Sequence, residues 1–259
     1  MNNTDNKNAQ SSTIVWITGA SQGIGEALAM AMAARGMMVL ASARNKEHLK
    51  SLVNKTANLQ GHIFAYPLDI TDQSAVSDTV RKIIEDHGRI DQAVLNAGTY
   101  IPIDAEHFNS QDIRQQIELN VMGTSYCIEY LLPAMKQQGK GLIAINSSLA
   151  GYRGLPKASG YGATKAALIN MAESLHSELS DQGIQFKVIN PGFVKTPLTD
   201  KNRFPMPFLM DADTAADVII KGLFSKRFEI RFPRVFAGIM GFLRHLPYAC
   251  YFPIAKKAR

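Results

Sequence analysis

A tyrosine and a lysine four residues apart are the side chains in this sequence best suited to proton transfer. They occur in Tyr161-Gly162-Ala163-Thr164-Lys165, which begins a predicted helix, and residues four apart lie on the same helical face. A phenol with a pKa of about 10 is a weak acid–base group at neutral pH, but a neighbouring ammonium favours the phenolate and lowers that pKa. The pair therefore predicts an acid–base site, with an ordinary surface pair as the alternative.

Ser148 supports the acid–base interpretation because it follows the predicted strand Leu142–Asn146. In open α/β sheets, ligands bind beyond the carboxyl ends of the strands. A hydroxyl at that edge can donate a hydrogen bond to a substrate oxygen on which negative charge develops. The sequence thus predicts a site that combines Ser148, Tyr161 and Lys165.

A glycine-rich turn, Thr18 to Gly25, follows the predicted strand Ile14–Thr18 and leads into an alanine-rich helix. Glycine allows a tight turn and a close approach of the backbone to a pyrophosphate. The free N–H groups and the positive dipole end of the helix then favour anionic phosphates. This pattern predicts a dinucleotide site, and the alternative is a simple strand-to-helix turn. The candidate cofactor-binding residues in the turn are Gly19, Ser21, Gln22, Gly23, Ile24 and Gly25.

The end of the second predicted strand bears on the choice of dinucleotide. Proteins that bind NAD typically place an acidic residue near this point to hold the ribose 2′-hydroxyl. This sequence has no acid there and has Arg44, which can pair with a 2′-phosphate. The residue favours NADP, and the alternative is a solvated arginine at the start of the next helix.

The elements that position these residues form an alternating pattern. Short apolar runs between helix-like segments indicate a parallel sheet covered on both faces, and right-handed crossovers make it doubly wound. We therefore predict a single-domain α/β fold with a Rossmann-type sheet of about seven strands. The predicted strands are Ile14–Thr18, Met38–Ser42, Ile63–Pro67, Ala93–Asn96, Leu142–Asn146, Phe186–Asn190 and Phe228–Phe232. The predicted helices lie near residues 24–35, 46–58, 72–87, 111–137, 161–181 and 212–224.

The amino-acid composition narrows the class of protein and its expected environment. The chain is 46% apolar and 19% charged, which is a globular balance. Its two cysteines do not make a disulfide framework, so we expect a reducing, cytoplasmic environment. The polar segment Met1–Ser12 has no apolar run, which argues against a secretory signal and predicts a disordered tail. The six histidines lack metal-ligand spacing, so no metal site is predicted.

Several of these motifs together resemble the single-domain short-chain dehydrogenase/reductases, over roughly residues 13 to 232. Thr18 to Gly25 matches the family's T-G-x-x-x-G-x-G turn at every fixed position, and Tyr161 to Lys165 matches its Y-x-x-x-K motif. Asn96-Ala97-Gly98 is similar to the N-A-G that follows the fourth strand in the family. Ser148 precedes Tyr161 by thirteen residues, the family's usual spacing, which favours it over Ser147.

The resemblance implies roles for further residues. It implies a catalytic tetrad of Asn120, Ser148, Tyr161 and Lys165, in which Asn120 anchors a proton-relay water and Lys165 binds the nicotinamide ribose. Asp69, with Ile70, matches the acid that contacts the adenine. The segment from Pro191 to Thr196 matches the one that holds the carboxamide. The cofactor residues implied in this way are Asn96, Ala97, Gly98, Asp69, Ile70, Tyr161, Lys165, Pro191, Gly192, Val194 and Thr196.

The C-terminal segment departs from the family pattern. Many relatives end soon after the last strand, whereas Val235–Ile254 continues for twenty residues whose only basic or acidic side chains are Arg244 and His245. From Lys221 onward the formal charge is +8, and that of the remaining chain is −2. Arg244 and the prolines argue against a transmembrane helix. Two interpretations remain open: a lid or subunit contact that closes an apolar pocket, or a peripheral membrane anchor whose basic residues meet anionic lipid.

These observations predict an NADP(H)-dependent oxidoreductase that interconverts a carbonyl and an alcohol. The C-terminal segment favours a small-molecule substrate that is bulky and apolar, and the long helices 111–137 and 161–181 resemble the family's dimer helices, so a homodimer is expected. The predicted organisation is a tail at 1–12, a catalytic domain at 13–232 and an extension at 233–259. One rival is an idle NADP-binding regulator on the same fold. The other, a nucleic-acid binder using the basic end, lacks a recognised motif.

Overall fold

The computed structural model describes residues 13–200 and 205–257. The predicted tail at 1–12 lies outside the described residues. The sequence also predicts that the loop between Thr196 and Asp211, rich in proline and phenylalanine, shapes the substrate pocket, and residues 201–204 of this loop lie outside the described residues as well.

Within the described residues, seven parallel strands form one sheet in the order β3-β2-β1-β4-β5-β6-β7. The predicted strands are all present, with ends shifted by one or two residues. Their sequences are short and apolar, as expected for strands covered on both sides. The strands are β1 Ile14–Thr18, β2 Met38–Ala43, β3 His62–Pro67, β4 Gln92–Leu95, β5 Gly141–Asn146, β6 Ile184–Pro191 and β7 Glu229–Phe232.

Helices cover both faces of this sheet, as the sequence predicted. Helices α3, α5 and α6 contribute to the apolar cluster that contains Trp16, whereas α1, α2 and α7 contribute to the cluster that contains Val15 and Ile17. Successive residues of β1 therefore face opposite layers, and all five are buried. The helices are α1 Gly23–Ala34, α2 Lys46–Asn54, α3 Gln73–His87, α4 Ser110–Ile117, α5 Gly123–Gln138, α6 Ser159–Leu179, α7 Ala212–Leu223, α8 Arg234–His245 and α9 Tyr248–Lys256.

The prediction of one continuous α-helix at 111–137 is wrong, because this region contains two α-helices. A π-helical turn, Glu118–Met122, separates α4 from α5. Local packing accounts for the widened turn: the Asn120 side chain is held by contacts described below, and a Cβ on Gly123 would lie 2.7 Å from Ile70 Cδ1. Such turns occur often at functional sites.

The C-terminal segment forms α8 and α9, joined at Leu246 and Pro247. The inner side of α8 buries Ala237 and Met240 against the rest of the protein. Of the helices in the described ranges, none is both long and apolar enough to cross a membrane.

Candidate active site

A cavity of about 550 Å³ lies at the carboxyl ends of the strands, around the point where the strand order reverses between β1 and β4. Sheets of this kind bind ligands in that crevice. The cavity brings together residues predicted from separate motifs. Those that line it are Gly19, Ser21, Gln22, Gly23, Ile24, Arg44, Asp69, Ile70, Asn96, Ala97, Gly98, Ser148, Tyr161, Lys165, Pro191, Gly192, Val194 and Thr196.

The glycine turn fits a pyrophosphate because its backbone is open to the cavity. Gly19 and Gly23 have φ values of +66° and +59°, a conformation that favours glycine. A Cβ on Gly19 would lie 2.8 Å from the Ala97 backbone. Helix α1 begins at Gly23 on the cavity wall, and among the described residues no side chain caps its N-terminus. The free N–H groups of α1 are thus available for an anion.

Gly25 belongs to the turn but does not line the cavity. A Cβ at this position would lie 2.2 Å from the Gly19 backbone oxygen and 2.6 Å from Asn96 Nδ2. Its role in the structure is therefore packing, since only glycine lets α1 approach the turn so closely.

Asn96 fixes the turn to the neighbouring strands. Its Nδ2 donates to the backbone oxygens of Thr18 and Gly19 at 3.2 Å, and its Oδ1 accepts from Asn146 Nδ2 at 2.8 Å. Thr18 Oγ1 accepts in turn from the Asn96 and Ala97 backbone at 3.0 and 3.2 Å. These hydrogen bonds connect the carboxyl ends of β1, β4 and β5 at the base of the cavity.

Arg44 lies exposed at the rim of the cavity, beyond the end of β2. Its guanidinium is 3.8 Å from a carboxylate oxygen of Asp69, whose other oxygen accepts from the Thr71 backbone and hydroxyl at 3.0 and 2.8 Å. Asn45 and His48 line the cavity beside Arg44, and Asn45 Oδ1 accepts from the His48 backbone at 2.9 Å. The site at this end thus offers a cation together with the N-terminus of α2.

Ser148 and Tyr161 meet at the other end of the cavity. Both side chains line the cavity, and Ser148 Oγ accepts from the Ala150 backbone at 3.1 Å and donates to the Pro191 oxygen at 3.3 Å. Burial raises the pKa of the Tyr161 phenol to about 12, and the neighbouring Ser148 hydroxyl only partly opposes this. Among the chain's own residues, desolvation of the phenolate therefore outweighs any lowering of this pKa by the Lys165 ammonium. The prediction of a lowered pKa also relied on the positive charge of an oxidised nicotinamide, and it stays a prediction.

The environment of Lys165 helps to explain why this residue does not lower the pKa of Tyr161. Only 3% of this residue is exposed, and its Nζ donates to the Asn146 backbone oxygen at 2.7 Å and lies 5.5 Å from the centre of the Tyr161 ring. Burial lowers the pKa of Lys165 to about 7, because the ammonium loses its hydration. Near neutral pH a substantial fraction of Lys165 is therefore uncharged, and the Nζ hydrogen bond goes to the Asn146 backbone.

The structure does not bring Asn120 to the cavity surface. Its Oδ1 accepts from the Thr99 backbone at 2.7 Å, and its Nδ2 donates to the Thr99 oxygen and to Thr164 Oγ1, both at 3.0 Å. A Cβ on Gly98 would lie 3.2 Å from Asn120 Oδ1 and 3.5 Å from Lys165 Nζ. Asn120 therefore lies behind Gly98, close to Lys165, with its side chain fully engaged.

Several cavity residues were not predicted from the sequence. Most directly adjoin predicted residues at strand ends, which is the signal that could have identified them. Leu119 directly precedes the predicted Asn120, and Leu198 lies in the loop after Thr196 that the sequence predicts to shape the substrate pocket, so each had a signal of its own. The cavity residues missed are Ser42, Ala43, Asn45, His48, Leu68, Thr99, Leu119, Asn146, Ser147, Pro197, Leu198 and Thr199.

The two C-terminal helices support the loops beside Ser148 and Gly192. Arg153 donates to the backbone oxygens of Arg244 and Leu246 at 3.0 and 3.1 Å, and its guanidinium lies 4.5 Å from the Tyr248 and Tyr251 ring centres. The α8–α9 connection is thus held against the loop that follows Ser148.

On the other side of α8, the Phe236 ring stacks on Phe193, with 5.5 Å between the centroids. A Cβ on Gly192 would lie 2.8 Å from this ring. The inner side of α8 therefore forms part of the wall behind Gly192.

Comparison with known proteins agrees with this architecture. The family model described as short chain dehydrogenase matches residues 13–205. An uncharacterized oxidoreductase of Myxococcus xanthus is 34% identical over 243 residues, which are 94% of this chain and 96% of the relative.

Two solved structures share the fold and hold different cofactors. The alcohol dehydrogenase of the archaeon Thermococcus sibiricus, complexed with 5-hydroxy-NADP, has a TM-score of 0.78 and 26% identity, over 85% of this chain and 96% of its own. A short chain dehydrogenase/reductase from Burkholderia phymatum in complex with NAD has a TM-score of 0.81 over 89% of this chain and 92% of its own. The second is 20% identical, so it shows the fold alone. The predicted doubly wound α/β fold is confirmed.

Proposed function

Since this chain belongs to the short-chain dehydrogenase family, as its motifs predicted, we propose that it is an NADP(H)-dependent oxidoreductase that interconverts a carbonyl and an alcohol. The family membership itself supports oxidoreductase chemistry with a nicotinamide cofactor. The observation that carries the finer proposal is the arrangement of one cavity, which is lined by a glycine turn suited to a pyrophosphate at one side and by Ser148 and Tyr161 at the other.

The protonation state of Tyr161 suits carbonyl reduction. The bound cofactor would supply the hydride to the carbonyl carbon. With a pKa of about 12, Tyr161 carries its proton at neutral pH and can donate it to the oxygen that becomes an alkoxide. Ser148 donates a second hydrogen bond to that oxygen, giving up its long bond to Pro191.

Lys165 and Asn120 are proposed to return the proton to Tyr161. Lys165 has a pKa of about 7, so it can both lose and regain a proton near neutral pH. The Asn120 side-chain amide is hydrogen bonded to Thr99 and Thr164 behind the cavity, and we assign the water to its backbone oxygen in the π-helical turn. That oxygen already accepts from Thr124 Oγ1 at 2.8 Å and has a second lone pair.

Selectivity for NADP rests on Arg44. No acidic residue stands at the end of β2 to accept from a ribose 2′-hydroxyl, and the Arg44 guanidinium is exposed at the cavity rim. The Asp69 oxygen that faces Arg44 is 3.8 Å away, which is too far for a hydrogen bond. The guanidinium is therefore free to turn to a phosphate. A 5-hydroxy-NADP complex of the Thermococcus sibiricus relative agrees with this proposal.

Arg44→Ala is expected to raise the Kd for NADPH about 10- to 100-fold, which corresponds to one or two charge-assisted hydrogen bonds. The Kd for NADH should change little, because NADH has no 2′-phosphate. Enhancement of nicotinamide fluorescence on binding measures both constants. Arg35→Ala is the matched control, since Arg35 is exposed, pairs with Asp217 and does not line the cavity. Equal losses for both cofactors would remove the proposed selectivity.

A bulky apolar substrate fits the surroundings of the reactive end. Leu119 and Leu198 line the cavity, and the stacked rings of Phe193 and Phe236 lie behind Gly192. The two leucine side chains offer apolar surface to a steroid-, isoprenoid- or fatty-chain-like carbonyl compound, and the two rings form an apolar layer behind the wall. We also propose a homodimer through α5 and α6 and a cytoplasmic location.

Consumption of NADPH with carbonyl compounds graded from small and polar to long-chain and steroidal tests the proposed function. Turnover confined to the bulky apolar compounds is the expected result. Turnover of small polar compounds only would contradict the substrate class. NADPH binding without turnover in either direction would instead support a regulator built on this fold.

A further inference from the structure

The outer side of α8 carries an apolar stripe that no described residue covers. Val235, Ile239 and Phe242 are 60%, 45% and 66% exposed. Their spacing of four and three residues places them on one helical face. The opposite side of α8 is also apolar, since Ala237 and Met240 are buried in the core. One apolar face of α8 therefore packs against the rest of the protein, and a second apolar face is exposed to solvent.

Exposed aromatic residues follow directly on α9. Tyr248 and Phe252 are largely exposed, and their rings stack with centroids 5.5 Å apart. We refer to Val235, Ile239, Phe242, Tyr248 and Phe252 together as the C-terminal surface. Several exposed apolar side chains on two consecutive helices mark an interaction site more often than scattered single residues do.

The part of the sequence that carries the C-terminal surface is strongly basic. The chain from Lys221 to its end carries a formal +8, and its single acidic residue is Glu229. That carboxylate accepts hydrogen bonds from Tyr152 and from Asn190 and forms an ion pair with Arg231 at 3.7 Å, so it offsets the charge of that arginine alone. Arg234 and His245 flank the stripe on α8, and Lys256 is exposed near the end of α9.

We propose that the C-terminal surface docks this protein peripherally on a lipid bilayer that contains anionic headgroups. Apolar side chains on one helical face enter the interfacial layer, and the surrounding basic residues meet the lipid phosphates. A second copy of the chain fits less well. A two-fold contact would place the same basic surface against itself, with like charges opposed. The proposal does not depend on the proposed reaction.

Docking through α8 would also bring the cavity close to the bilayer, because α8 packs against the cavity wall. Arg153 holds the α8–α9 connection against the loop after Ser148, so the surface is preformed. The inner side of the same helix packs Phe236 against Gly192 in the cavity wall. Docking through the outer side of α8 would place this wall next to the bilayer, where apolar carbonyl compounds are concentrated.

Flotation with vesicles tests the docking surface. The full chain should float with vesicles of phosphatidylcholine and phosphatidylglycerol, float much less with phosphatidylcholine alone, and detach as salt is raised. Phe242→Ser should lower the partition coefficient about tenfold, because a large side chain no longer enters the interface. Phe108→Ser is the matched control, since Phe108 is 60% exposed and lies far along the chain from the C-terminal surface.

Each variant is also titrated with NADPH, so that a folding defect is distinguished from a docking defect. The expected result is loss of flotation in Phe242→Ser with unchanged NADPH binding. Absence of flotation on every vesicle would overturn the proposal, and so would equal losses in both variants. A Phe242→Ser variant that does not alter flotation but converts dimers to monomers would show that a second copy covers this surface.

Discussion

Tyr161→Phe is expected to lower kcat for carbonyl reduction by about 10³-fold, within the range that general acid catalysis contributes. The substitution removes the hydroxyl that would donate the proton and retains the ring. That ring packs edge-on against Tyr100, with centroids 5.2 Å apart, so the wall of the cavity should be preserved. The Kd for NADPH is therefore expected to change little. Single-turnover kinetics separates the chemical step from binding.

Tyr130→Phe is the matched control for this prediction, because Tyr130 lies on α5 and does not line the cavity. It should retain wild-type kcat. If Tyr161→Phe kept most of the activity on a compound that the wild type reduces well, the assignment of Tyr161 as the proton donor would be wrong.

Lys165→Met is expected to lower kcat about 100-fold or more and to raise the Kd for NADPH, because the variant loses the group proposed to recharge Tyr161 and to hold the ribose. The same change should raise thermal stability at pH 6. The wild type buries an ammonium with one hydrogen bond, to Asn146, and methionine of similar length removes the cost of its desolvation. Function and stability thus oppose each other at this residue.

The pH dependence of this stability difference follows from the lysine pKa, about 7 in the folded chain against about 10.4 when unfolded. Below pH 7 both states of the wild type are protonated, and the folded state bears the full cost of the buried charge. Between these values the unfolded lysine keeps a proton that the folded one has lost, so wild-type stability rises with pH. The difference in Tm between the variant and the wild type should therefore shrink as pH increases from 7 to 10.

Calorimetry of both proteins across that range, without cofactor, measures the trend. A difference that stayed constant or grew with pH would refute the shifted pKa. Lys187→Met is the activity control: Lys187 is also buried, donates to the Gly222 and Ser225 backbone oxygens at the end of α7, and does not line the cavity. Its kcat should match that of the wild type.

The sequence by itself determined the fold class, the strand positions and the location of the site. Short apolar runs such as Ile14–Thr18 can be buried on both faces only in a covered parallel sheet, so alternation along the chain already specifies the layers. Local motifs were equally informative, because the glycine turn and the Tyr161-to-Lys165 spacing encode geometry within a few residues. Ser148 and Asn96 are distant in sequence from these motifs, but each lies at the end of a parallel strand. Because the carboxyl ends of all the strands lie at the same edge of the sheet, both residues are expected at the same site.

Only the tertiary structure decided the electrostatics and the outer surface. The pKa values of Tyr161 and Lys165 depend on burial by elements distant in sequence, which the spacing of the two residues does not reveal. Asn120 lies behind the cavity because Thr99 and Thr164 engage its side chain. The two apolar faces of α8 look alike in sequence, and packing alone selects the one that is buried. The physical reason is common to all three: desolvation and contact depend on which residues meet in space, and local spacing does not contain that information.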